Sequence, residues 1–507
     1  GDFQYGAVAT GGTPIIAASG VSANEQVVLV ESWLDASTMY GEGETATGPD
    51  FPVTYTLNIE PAPAVAATGT PIDNVSMSFV LPAGIVENAG SESASGGGSV
   101  SVTNQAVTGG TEQIVTIDYA HLSSTQTVTF TAYVPQNYQY SDGVHTGGNP
   151  ILDPVTGAPV TIAVNPAYTL SASPWHGIDI TGQQGDISGA SFDAKSLAVQ
   201  LVADTSSALP TQDIHYTLRF EVSDYFGISG LGLNATLSDG LTFDPTVTPV
   251  LSVAGRNGGV SGSGSFTLDN LTETTGTYNG ETVQTGGNGQ HVTYTFTPPG
   301  GGTGGTTALN FDVAGLLPGQ YGAGTVGTVA FAATVLDAYT TGNDQVSGAH
   351  GFLREGDTVS TSSTNDTAVS LYTYDGSVYT ATGHAIADST DTPVDTLPQG
   401  SLSLQIVEVN GAAYTGQTIA PGDTVVYQLV YTLAAPGDFA DLNLAAYLPE
   451  PVFSVLHPAN PDATTSAEFA GSGTSTFTNV GADAALSSLA SGTYTYSVSS
   501  GLAGVQV

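Results

Sequence analysis

Cysteine is absent from the 507 residues, which removes disulfides, thiolate metal sites and cysteine nucleophiles together. Cations are nearly absent too. Lys195, Arg219, Arg256 and Arg354 stand against 45 Asp and Glu, for a formal net charge of −41. A nucleic-acid binder neutralises phosphates with clustered lysine and arginine, and four scattered cations cannot do that. Anionic membrane surfaces and acidic substrates are disfavoured for the same reason. No apolar run approaches the roughly 18 residues of a bilayer-crossing helix, so no membrane span is expected in this chain. The chain begins at Gly1 with neither a signal peptide nor a Met, which points to processing or to a piece of something longer.

The catalytic signatures are missing as well. No serine has glycine at both −2 and +2, so there is no nucleophile elbow. None of the eight histidines opens an H-E-x-x-H zinc helix. The one lysine, in Asp193-Ala194-Lys195-Ser196, excludes a phosphate-binding loop of the G-K-[ST] kind. The most enzyme-like stretch is Trp175-His176-Gly177-Ile178-Asp179. It reads as a turn between repeats, with Trp175 plugging a joint. No catalytic residue is expected.

What is present is glycine (65), proline (27) and a hydrophobic fraction of 40%, a mixture that suits many short strands joined by turns. One phrase recurs three times. Residues 53–59 (VTYTLNI), 214–220 (IHYTLRF) and 425–431 (VVYQLVY) each carry apolar side chains at alternate positions, the period of a strand with one buried face. Each is preceded by another alternating segment, at 25–34, 196–202 and 401–407. Each is followed by a strand running into a turn, at 75–84, 233–240 and 442–449. Residues 113–119, 291–296 and 493–498 look equivalent, and 127–134 (TVTFTAYV) matches 328–335 (TVAFAATV). The third copy has no counterpart of this last strand.

The expected organisation follows. An N-terminal extension or the end of a preceding unit covers 1–20, repeat units cover 21–150, 190–355 and 400–507 (the last lacking its final strands), and strand-bearing connectors cover 151–189 and 356–399. Pro421-Gly422-Asp423, Tyr427, Leu448-Pro449, Leu81-Pro82-Ala83-Gly84, the strands at 127 and 328, and Asn365-Asp366-Thr367-Ala368 together resemble an Ig-like repeat. The repeat is that of long bacterial and archaeal surface proteins, often called domain of unknown function eleven. The resemblance covers about two thirds of the chain. Units one and two lack the Pro-Gly-Asp opening, and unit two has Ser-Asp-Gly in place of L-P-x-G. The fold class expected is all-β: tandem Ig-like antiparallel β-sandwich domains in an elongated chain, with almost no helix.

The resemblance implies an extracellular, cell-surface structural protein, a subunit or portion of a filament, surface layer or adhesin stalk. A carbohydrate-binding or cell-contact adhesin, with Trp33 or Trp175 stacking a glycan, is the alternative; a secreted hydrolase with accessory sandwiches ranks behind both. The expected partners are further repeats or copies of the chain, or a glycan or other cell-surface ligand. An unfinished third sandwich would leave an open edge that a strand from 1–20 of a neighbour could fill.

Calcium is the ion that suits so acidic a surface, because it takes six to eight oxygens and would relieve repulsion at the joints. The candidate ligands are Asp388, Asp391 and Asp395, Asn343 with Asp344, and Glu355 with Asp357. An intramolecular lysine–asparagine amide at Lys195, of the sort some surface Ig-like domains form, is disfavoured because the other two units lack an equivalent lysine. The sequons at Asn74, Asn234, Asn270 and Asn365 occur at near-chance frequency in so Ser- and Thr-rich a chain.

Overall fold

A computed structural model describes residues 30–38, 43–164, 168–177, 179–181, 184–188, 190–268, 274–300, 304–342, 351, 353, 357–365, 369–388, 394–397, 401–420 and 422–432, together with the strands Ala445–Leu448, Gly471–Thr478, Ser491–Val498 and Ala503–Gln506. The N-terminal 1–20 lies outside them. The described residues are all-β apart from two short helical turns, Pro63–Thr68 and Val313–Leu316. Alternating sequence builds this. Val53, Tyr55, Leu57 and Ile59 are buried, as are Ile214, Tyr216, Leu218 and Phe220, while Thr54 and His215 between them are exposed.

The repeat survives at the level of register. Val53–Pro61 pairs with Val30–Ser37 so that Leu34 faces Leu57. Asp213–Val222 pairs with Leu197–Ala203 with Leu201 opposite Leu218, and Val425–Thr432 pairs with Ser401–Val409 with Leu404 opposite Leu429. On its other side, the central strand of each of the first two units takes Gln126–Tyr133 or Val326–Val335. These registers bring Tyr55 opposite Phe130 and Tyr216 opposite Phe331. Both pairs stack, at 5.1 Å and 5.3 Å between ring centroids, a contact worth about 0.5–1.5 kcal/mol beyond simple burial.

The second sheet of unit one runs Thr169–Ser171, Ile72–Val80, Gly110–Leu122, Ser99–Val107. In unit two the order is Thr358–Asn365, Leu233–Leu237, Thr306–Phe311, Val292–Thr297. The strand beside 233–237 is therefore 306–311, and the expected equivalence of 113–119 with 291–296 is off by one strand. The two strands of a hairpin carry the same alternation, and the glycine-rich insert between them hides which one sits inside.

The segments 151–189 and 356–399 give their strands to the sandwiches. Thr169–Ser171 and Gln184–Ser188 extend the two sheets of unit one. Thr358–Asn365 joins Leu233–Leu237, and Val369–Tyr374 joins Phe226–Ser229. A three-stranded sheet of Val160–Val164, Ala190–Lys195 and Glu44–Ala46 closes the end of unit one nearest unit two. From it the chain passes through Ser196 into the first strand of unit two. One buried apolar cluster runs from Leu34 through to Leu397 across both units.

Candidate functional site

The most chemically distinctive place among the described residues is the junction where the last strand of the closing sheet becomes the first strand of unit two. Lys195 is 3% exposed. Its Nζ contacts Glu44 Oε2 and Asp388 Oδ1, and both carboxylate side chains are themselves buried. The three residues come from distant sequence, 151 and 193 positions from the lysine. Glu44 stands in the short strand that pairs in parallel with Ala190–Lys195, and Asp388 follows the strand Tyr379–Ile386.

Each partner is held by further bonds. Gln200 Nε2 donates to the Glu44 carbonyl at 3.1 Å. The Val199 N–H donates to Asp388 Oδ2, the Asp388 N–H donates to Asn365 Oδ1, and Asn365 Nδ2 donates to the Ile386 carbonyl at 3.0 Å. Burial pushes the Lys195 ammonium down, and the charges of Asp388 and Glu44 more than reverse it, holding it above the ordinary lysine value. A cleft of about 220 Å³ lined by Gly157, Ser196, His384 and Asp388 opens onto this group.

A second cluster secures the same junction. Phe51, Ala46 and Ala198 form a small buried core with Val326 against it, two residues from each unit. Thr47 Oγ1 and Ser223 Oγ share a hydrogen bond of 2.5 Å, the Asp224 N–H donates to the Thr47 carbonyl at 2.9 Å, and the Asp50 N–H donates to Asp224 Oδ2 at 3.0 Å. Arg256 pairs with Asp50 at the rim. Burial, with the Asp50 carboxylate nearby, pushes Asp224 up to about 6. A second cleft of about 260 Å³ lies alongside, lined by Pro135, Pro150, Pro154, Tyr225, Tyr374 and Val378 among others.

Of the calcium candidates, Asp388, Asp395 and Asp357 lie among the described residues, and each is engaged separately. Asp388 is engaged by Lys195. Asp395 is buried and accepts from the Tyr216 hydroxyl at 3.3 Å. Asp357 is buried at the start of Thr358–Asn365, its carbonyl accepting from Leu397 N–H at 2.8 Å. Asp391, Asn343, Asp344 and Glu355 lie outside the described residues. Among the described residues no group of three or more His, Asp or Glu side chains is placed to hold a metal ion.

Trp175 is buried in the core of unit one, donating from Nε1 to the Thr70 carbonyl at 3.1 Å, and so offers no stacking surface. Asp179 caps the Thr181 N–H at 3.0 Å. Asn365 is 4% exposed, which closes that sequon to glycan transfer. The Glu44–Lys195–Asp388 site was missed by sequence reasoning. Its one signal was the chain's sole lysine lying at the start of a repeat unit.

No family profile matches this chain, and no curated protein is significantly similar to it. Among solved structures, the C-terminal domain of the Streptococcus agalactiae AgI/II polypeptide BspA is similar, with 9% identity and a TM-score of 0.19 over 71% of this chain and 99% of that one. The Enterococcus faecalis surface protein ACE, described as binding its ligands by a collagen hug, gives 9% identity and a TM-score of 0.19 over 72% and 94%. The enzyme AvmM, which catalyses macrocyclization in alchivemycin A biosynthesis, gives 6% and 0.20 over 41% and 90%. TM-scores this low carry no assignment of function to the present chain.

Proposed function

We propose that this chain is a structural protein of the cell exterior, a load-bearing portion of a stalk, filament or surface layer built from sandwich units, and that it works without catalysis. The observation that carries the reading is the junction of units one and two. A hinge between independent domains would be polar and loosely packed. Here the apolar core is continuous from Leu34 to Leu397, Phe51 is sunk between the units, and Lys195 is buried between carboxylates from either side. Tension entering unit two through residues 195–197 is met by the paired ladders of 197–203, 213–222 and 326–335, which must shear together. The acidic surface keeps such a chain solvated without disulfides.

Single-molecule stretching of the full chain, held at its two ends, tests this. Units one and two are expected to give way together, in one high-force event. Gradual extension at low force, or separate yielding of the two units, would overturn the reading.

A further inference from the structure

We propose that the junction is a covalent cross-linking site, in which Lys195 and Asp388 condense to an intramolecular amide with Glu44 as the proton-transferring residue. The proposal stands on the geometry of the site and holds whether or not the chain bears load.

The site has the parts the reaction needs. Nζ of the chain's one lysine is in contact with an oxygen of the Asp388 carboxyl, and a second carboxylate, Glu44, touches the same nitrogen. All three side chains are almost wholly removed from water. Two anions and one cation kept there leave a net negative charge in a medium that solvates it poorly, and each buried ion costs several kcal/mol that pairing recovers only in part. Condensation removes one positive and one negative charge from that environment. Fixed neighbours supply effective concentration in place of an activated acyl group.

The step balances without any co-reactant. One proton of the Lys195 ammonium passes to Asp388 Oδ1, leaving a neutral amine beside a carboxylic acid. The amine attacks Cγ and the N–Cγ bond forms. Charge builds on Oδ2, the oxygen to which the Val199 N–H already donates, so the donor that holds the carboxylate also stabilises the tetrahedral intermediate. Glu44 takes a second proton from Nζ and delivers it to Oδ1. The Cγ–Oδ1 bond breaks and that oxygen leaves as water. Nζ keeps one hydrogen, Glu44 is again a carboxylate, and nothing is oxidised or reduced. The cleft bounded by Ser196, His384 and Asp388 gives the water a way out. The bond ties the entrance of unit two, at residue 195, to the end of its last long hairpin, at residue 388.

The scarcity of basic residues makes trypsin a direct reporter, because cleavage can occur only after Lys195, Arg219, Arg256 and Arg354. In the full chain, denatured and digested, no cleavage after Lys195 is expected. The piece ending at Arg219 should stay joined to the piece beginning at Glu355. The intact mass should fall short of the sequence mass by one water. Lys195→Arg is expected to restore the full mass. Glu44→Gln, which keeps lysine and acid in place, is expected to leave the two pieces separate with Lys195 cleavable. A wild-type chain of full mass, cut after Lys195, would overturn the cross-link. Full cross-linking in Glu44→Gln would overturn the role assigned to Glu44.

Discussion

Replacing Phe51 with alanine tests whether units one and two behave as a single mechanical body. Phe51 is 2% exposed and packs on Ala46 from its own unit and Ala198 from the next. Removing a buried phenylalanine ring costs about 3–5 kcal/mol. The polar part of the junction can be set beside this: Thr47 with Ser223, Asp224 N–H with Thr47, Asp50 N–H with Asp224, and Gln200 with Glu44. At about 0.5–1.5 kcal/mol net for each bond, the four amount to roughly 2–6 kcal/mol. The ring therefore supplies on the order of half the coupling apart from the ion pairs of Lys195. Differential scanning calorimetry of the full chain is the assay. The wild type should show units one and two melting in one transition, and Phe51→Ala should split it, with the first component lower by several degrees. A single transition at the wild-type temperature would refute the idea that this contact couples the units.

Four further expectations follow from particular contacts. Burial pushes Glu87, Asp224 and Asp395 up to about 6. Each thus binds its proton more readily folded than unfolded, and their cost is fully present above about pH 6 and gone below about pH 4. Thermal stability should rise as pH falls from 7 to about 5, and Asp395→Asn should flatten the rise; a fall in wild-type stability over that window would contradict the assignment. Tyr216→Phe removes the hydroxyl that donates to Asp395 and should cost about 1–3 kcal/mol in denaturant unfolding. Asp239 accepts from the backbone N–H and hydroxyl groups of both Thr340 and Thr341. Asp239→Ala should accelerate amide hydrogen exchange at those two residues more than ten-fold, with little change at the central strand 213–222. Gly327 lies so close to Phe220 that an added Cβ would sit 2.3 Å from the ring; Gly327→Ala should cost about 1–3 kcal/mol by overpacking, read from the denaturation midpoint.

The parts of this protein that could be read from its sequence are those in which one strand carries its own signal. Alternation at 53–59, 214–220 and 425–431 predicted three strands, and all three form. The pairing of Leu57 with Leu34, Leu218 with Leu201 and Leu429 with Leu404 shows that the preceding segments were matched in register as well. Alternation says which face is buried and nothing about which neighbour lies alongside, so the order of 292–297 and 306–311 was lost. The junction site was illegible for a different reason. Its carboxylates lie 151 and 193 residues from the lysine, and Asp388 advertised itself only as a member of an acidic run with Asp391 and Asp395, the pattern of a calcium loop. Comparison between units argued against a lysine-based link because units one and three lack the lysine. That comparison assumed a site repeated with the unit, whereas Glu44 belongs to the sheet that closes unit one and Asp388 to the segment that follows the hairpin strand Tyr379–Ile386. A site assembled at a joint is required only once per joint. The rarity of lysine in so acidic a chain, read first as the absence of a binding surface, is equally what marks the one lysine that the fold takes out of water.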